Sequence, residues 1–100
     1  MPDAPWKAAE RTVARKLGGT RVGPLGRTGP DVAHPWLAVE VKYRRRLPEW
    51  LKRALAQVRR CAKGRLPMVV LREKGSPRGW VLLSLDDFCE WFGEAKGGEG

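Results

Sequence analysis

The sequence predicts a mixed α/β domain, a mixed central sheet flanked by helices in the order α-β-β-β-α-β-β-α. Three observations lead there. Two segments space their apolar residues as helices do, Ala8/Val13/Ala14/Leu17 and Leu51/Leu55/Val58/Ala62. Three short runs, 36–43, 67–71 and 79–83, carry the β-branched and aromatic residues of strands. Clusters of Gly and Pro separate these segments. A chain of 100 residues is expected to form one domain, here 1–93, followed by a Gly- and Glu-rich tail over 94–100.

The first helix is expected from Lys7 to Leu17, closed by Gly18-Gly19 as a left-handed cap closes a helix. Thr20-Arg21-Val22 has the composition of a short strand, and residues 23–30 hold too much Gly and Pro for regular structure. Val32-Ala33-His34 begins the hairpin partner of the next strand, with the turn at His34-Pro35. The strand itself runs from Trp36 to Tyr43. Pro48 suits the first turn of a helix reaching about Ala62, with Gly64 as its terminator. Its apolar stripe is expected on the sheet, with Arg53, Gln57 and Arg60 in a neighbouring polar stripe. Residues 67–71 and 79–83 read as near-continuous buried strands joined by the polar loop Glu73–Arg78. Ser84 is placed to cap a final helix through Asp86, Asp87, Phe88 and Trp91, its acids near the positive end.

The segment with the most chemistry runs from Asp31, in the Gly-rich loop, to Glu40-Val41-Lys42 on the strand. Strand side chains alternate faces, so Leu37, Val39 and Val41 share one face while Glu40 and Lys42 point together to the other. Two carboxylates converging with a lysine suit a hard divalent cation and a phosphate oxygen. The same alternation also describes an ordinary amphipathic strand with one side in water.

Charge sharpens this picture. Lys and Arg number 20 against 11 acids, a formal net charge of +9. Residues 1–72 hold 17 basic and 5 acidic side chains, residues 73–100 hold 3 and 6, so the excess lies early in the chain. Three of the five early acids are Glu10, Asp31 and Glu40, which suits a polyanion-binding surface interrupted by a cation-binding centre. A protein that is basic for solubility or ribosome binding is the plainer alternative. Cys61 and Cys89 lack metal-ligand spacing, and a reduced pair is expected. His34 is the single histidine, which argues against a zinc site or a His-dependent triad. No apolar run reaches the length of a membrane span, and the first residues lack the basic start and apolar core of a signal peptide.

Gly29-Pro30-Asp31 followed by Val39-Glu40-Val41-Lys42 resembles the PD-(D/E)XK nuclease signature. The flanks are similar to the Holliday-junction resolvases of archaea and phages. Glu10-Arg11 lies on the first helix, Gly18-Gly19-Thr20-Arg21 follows it, and Lys42-Tyr43-Arg44 leads into a helix carrying Gln57. Asp…Glu-x-Lys alone is unspecific; these elements in order are much more specific, and they span residues 7–92.

The resemblance implies a restriction-endonuclease-like fold. It implies a homodimeric, structure-selective endodeoxyribonuclease that resolves four-way DNA junctions by paired phosphodiester hydrolysis. Asp31 and Glu40, with the main-chain carbonyl of Val41, would hold Mg2+, for which Mn2+ can substitute. Lys42 would orient the attacking water or stabilise the phosphate. Glu10 would bind a second ion or position a metal-bound water, and Gln57 would orient Lys42 or the nucleophile. For Gln57, an exposed polar helix residue is the alternative. Arg11 and Arg21 match basic positions of the resolvases, with an ion pair or generic phosphate attraction as the alternative. The cluster Lys42-Tyr43-Arg44-Arg45-Arg46, with Lys52, Arg53, Arg59, Arg60, Lys63 and Arg65 behind it, would supply the duplex-binding surface, a solvated basic face being the alternative. The chain departs from the pattern at Leu25-Gly26-Arg27-Thr28-Gly29, where archaeal resolvases usually carry a serine. Arg27 or Thr28 stands in its place, and the role of the loop is open. A cytoplasmic protein is expected, in the host cytoplasm if phage-encoded. A repair or restriction-type nicking nuclease is the nearest alternative, and a non-catalytic basic DNA-binding module a more distant one.

Overall fold

The structure, a computed structural model, describes residues 4–22 and 30–93. The expected tail over 94–100, and Arg27 and Thr28 of the Gly-rich loop, lie outside the described residues. Three helices and four strands follow in order: α1 Pro5–Leu17, β1 Thr20–Arg21, β2 Val32–Ala33, α2 Glu49–Arg60, β3 Val69–Arg72, β4 Gly79–Leu82 and α3 Leu85–Phe92. The class is mixed α/β. In place of one mixed sheet, the described strands form two antiparallel pairs, β1–β2 and β3–β4. The contacts divide the chain into two units, one of 1–44 with 92–100 and one of 45–91. No helix among the described residues is long and apolar enough to cross a membrane.

In the first unit, α1 starts with Pro5 in its first turn, where a missing N–H costs nothing, and carries Arg15 and Lys16 in its last turn, beside the negative end of the helix dipole. Gly18 adopts φ 77°, and two amides close the helix: Gly18 N–H donates to Arg15 O and Gly19 N–H to Ala14 O. That pair of bonds is a Schellman motif, so the Gly-Gly ending does what its sequence promised. The turn delivers β1 alongside β2, with Thr20 opposite Ala33 and Arg21 opposite Val32. Ala14 and Leu17 of α1 and Val32 of β2 are the buried centre of this unit. Gly19 is required there, because a Cβ on it would lie 2.5 Å from Ala33 O and 2.8 Å from Val32 Cγ1.

The hairpin expected between Val32 and the following segment forms, but narrowly. Val32 bridges Val39 in antiparallel fashion, and Asp31 N–H donates to Val39 O at 2.7 Å. The rest of 36–43 is not a ladder strand. Its amides have been taken by side chains: Trp36 N–H by His34 Nδ1, and Val41 N–H by the Asp31 carboxylate. Continuing the register would also set Pro30, which has no N–H, opposite Val41.

In the second unit, Pro48 immediately precedes α2 instead of standing in its first turn. Leu51, Leu55, Val58 and Ala62 are half-buried, and α2 packs against β3. The helix ends at Arg60, two residues short of the sequence expectation. Val58 O and Arg59 O near its end accept from the Cys61 and Ala62 amides, and in the turn that follows the Arg65 guanidinium donates to Ala62 O and Cys61 O. Lys63 and Gly64 then take left-handed φ values of 50° and 83°. The β3–β4 hairpin pairs Val69 with Leu82, Val70 with Val81, Leu71 with Trp80 and Arg72 with Gly79. Contrary to the buried strands expected at 67–71 and 79–83, covering is partial: on one face Val69, Leu71 and Leu82 are half-buried but Trp80 is 61% exposed, and on the other Val70 and Val81 are 55% and 59% exposed. A two-stranded sheet beside one helix has a covered face and an open one. Ser84 caps α3 as its sequence indicates, accepting from Asp87 N–H at 3.0 Å, with Asp86 and Asp87 in the first turn.

Candidate functional site

The constellation drawn from the sequence centres on the first unit. Asp31 leaves the Gly-rich loop with its main chain fixed on both sides: its N–H donates to Val39 O, and its carbonyl accepts from Val22 N–H at 2.9 Å. One carboxylate oxygen, Oδ2, accepts from Val41 N–H at 2.7 Å. The residue that holds Asp31 is therefore the one between Glu40 and Lys42. A loop acid ten positions earlier is pinned to the middle of the Glu-x-Lys segment by a charge-assisted hydrogen bond. The sequence assigned Val41 a metal-binding carbonyl; its amide has a job that the sequence reading missed.

Glu40 and Lys42 lie together as alternation requires. Lys42 Nζ stands 2.7 Å from Glu40 Oε2, and both side chains are more than 60% exposed. The centre thus opens outward. An exposed ion pair of this kind contributes about 0–1 kcal/mol, so either partner is readily drawn to a different ion.

Glu10 is differently placed. Arg21 Nε donates to its Oε1 at 2.7 Å, and the two side chains are only 13% and 17% exposed. The pair joins α1 to β1, and Trp6, one turn before Glu10, lies against the Arg21 guanidinium, 5.9 Å from its ring centroid. Arg21 is therefore the ion-pairing arginine that the sequence left as an alternative, and Trp6 is its stacking partner. Trp6 and Glu10 share a face of α1, which begins two residues before its expected start. Arg11 is exposed on α1. His34 serves the fold: its Nε2–H donates to Leu17 O at 2.9 Å, and its Nδ1 accepts Trp36 N–H at 3.3 Å. The tautomer with its proton on Nε2 makes both bonds.

Arg44 is exposed at the end of the first unit and reaches no further than its neighbour's carbonyl, Tyr43 O. Arg45, Arg46, Arg53, Gln57 and Arg60 belong to the second unit, and all are exposed. Gln57 lies in the same α2 stripe as Arg53 and Arg60, as its spacing predicts. The second unit also holds a cleft of about 270 Å³ lined by Val58, Cys61, Ala62, Arg65, Leu66, Pro67 and Met68, which contains no carboxylate.

Among the described residues no three His, Cys, Asp or Glu side chains converge as a metal-binding group. The Asp31 carboxylate meets the Glu40–Val41 segment at the Val41 amide. Hard oxygen donors of this type fit Mg2+, which commonly takes one or two carboxylates and fills its remaining positions with water and substrate oxygens.

Comparison of the chain with protein-family models, with curated proteins and with solved structures gives no match.

Proposed function

We propose that the chain is a Mg2+-dependent endonuclease of branched DNA, four-way junctions foremost, on a restriction-endonuclease-like scaffold. One observation carries the reading: the Asp31 carboxylate bonds to the Val41 amide at 2.7 Å, so the loop acid and Glu-x-Lys form one local unit in a chain of net charge +9. The other oxygen of Asp31, the Glu40 carboxylate and the Val41 carbonyl are the donors for the cation. Bound there, Mg2+ or Mn2+ supplies an acidified water and neutralises charge on the phosphate. Lys42 exchanges its exposed Glu40 partner for a phosphate oxygen, at the small cost of opening a surface ion pair. Glu10 stays with Arg21, because removing either would strand a largely buried charge. The exposed arginines 44–46, 53 and 60 hold the DNA backbone.

A non-catalytic basic DNA-binding module is the second reading. What favours it is the commitment of Glu10 to Arg21, which leaves two acids where a three-acid centre would have three. A labelled four-way junction incubated with Mg2+, and in parallel with EDTA, separates the two. Metal-dependent incision supports the nuclease, and binding without incision supports the module. Linear duplex, flap and nicked substrates then distinguish a junction resolvase from a repair or restriction-type nicking nuclease.

A further inference from the structure

The side chains of α2 fall into three sectors. The apolar one packs inward. A second is paired within its own unit, Lys52 with Glu49 and Arg59 with Asp87. The third, Trp50, Arg53, Gln57 and Arg60, is exposed, and among the described residues its polar groups have no hydrogen-bond or ion-pair partner. At 100° per residue these four lie within a sector of about 80°. The Trp50 ring is 58% exposed. Among the described residues no cation or second ring stacks on it, whereas Trp6 carries Lys7 and Arg21, and Trp36 meets His34.

A single exposed tryptophan is unremarkable on a protein surface. An open indole face on the same stripe as two unpaired arginines is more informative. Arg53 and Arg60 stand about 10.5 Å apart along the helix axis, far enough to meet separate phosphates of one strand. Phosphates answer the arginines, and a base answers the indole. Only an unpaired base offers its flat face, since a base inside a duplex is stacked on both sides.

We propose that this face of α2 binds an unpaired strand of branched DNA, Trp50 stacking on a base while Arg53 and Arg60 hold phosphates of the same strand. Gln57, between them, hydrogen-bonds to base or sugar. The choice of DNA rests on the function proposed above.

The test is fluorescence anisotropy in EDTA, so that binding is read without incision. A labelled fork with unpaired arms is compared with a fully paired duplex of equal nucleotide content, and each variant is checked for unchanged circular dichroism and melting. Trp50→Ala is expected to bind the fork about 5- to 150-fold more weakly, the equivalent of about 1–3 kcal/mol for one base stack. The paired duplex should be unaffected, and Trp50→Phe should restore most of the loss. Arg53→Ala with Arg60→Ala should lower the log–log salt slope on a single strand by about 1.4. Equal losses on fork and duplex, or no loss on the fork, overturn the inference, as does a larger loss on RNA than on DNA of the same sequence. The two proposals fail separately. A wild-type protein that cuts junctions while Trp50→Ala binds the fork normally overturns this one and leaves the nuclease standing. Trp50-dependent binding of the fork without any metal-dependent cutting does the reverse.

Discussion

Replacing Asp31 by asparagine keeps an oxygen in place to accept the Val41 amide but removes the charge, whereas replacing it by alanine removes both. The structure sets the scale of the difference. The bond is 2.7 Å long with an ionised acceptor, the kind that contributes about 1.5–3 kcal/mol, against about 0.5–1.5 kcal/mol for a neutral one. Asp31→Asn should therefore cost about 1 kcal/mol and lower the melting temperature by about 4–8 °C. Asp31→Ala leaves the Val41 N–H without its acceptor, at about 1–3 kcal/mol. Because Asp31 and Val41 are only half-buried, water relieves part of that penalty and the lower half of the range is expected. Cleavage should divide differently. Both variants lose a cation ligand, so both should cut junction DNA about a hundredfold or more slowly, the scale on which one electrostatic stabiliser of a transition state acts. Binding to the junction, measured in EDTA, should survive in Asp31→Asn. Thermal melting by circular dichroism and single-turnover cleavage read the two effects separately. Wild-type cleavage by Asp31→Asn would remove the carboxylate from the chemistry. A melting temperature for Asp31→Ala equal to that of the wild type would remove the Asp31–Val41 bond from the fold.

Glu40→Gln should leave junction binding and melting nearly unchanged while turnover falls, and Lys42→Ala should spare melting and lower turnover more than binding, since their ion pair is exposed. Near-normal single-turnover cleavage by Lys42→Ala would take Lys42 out of the mechanism. Gly19→Ala forces a methyl against Ala33 O and Val32, and should cost about 1–3 kcal/mol in a urea titration. Gly64→Ala, with φ 83° but nothing within 4 Å, should cost only the backbone penalty of about 1–2 kcal/mol. Replacing Arg44, Arg45 and Arg46 by alanine should flatten the dependence of log affinity for duplex on log salt by about 0.9 per lost phosphate contact. An unchanged slope would put the DNA on another face. Paired incision calls for a two-fold dimer, and Trp80 and Trp91, exposed by 61% and 48%, are candidates for its apolar contact. Sedimentation at micromolar concentration should show it; a protein that remains monomeric on a junction would favour a nicking nuclease.

Local signals carried the helices. The Gly18-Gly19 ending and the Ser84 cap both formed because their bonds lie within a few residues of sequence, where no distant partner can override them. The Glu40/Lys42 face also followed from alternation alone. The failures came where a backbone group had a choice of partner. The β-rich composition of Trp36–Tyr43 indicates a ladder strand, but the composition cannot reveal that Asp31 and His34 would claim the amides of Val41 and Trp36. Val70 and Val81 look like core residues by type; their exposure follows from the number of layers around the hairpin, which no local window contains. The Glu10–Arg21 pair was visible only as two charges eleven residues apart.

The Val22–Asp31 hydrogen bond lies at the mouth of the segment between them, and the β1–β2 pairing locks that mouth from the other side. The place of the acid is thereby set from three directions, by the main chain of Val22, by Val39 and by the Val41 amide. Side-chain substitutions at Val22, Val39 and Val41 that keep these main-chain groups should leave Asp31 in register, so the chain can vary what surrounds its acid without renegotiating where the acid sits.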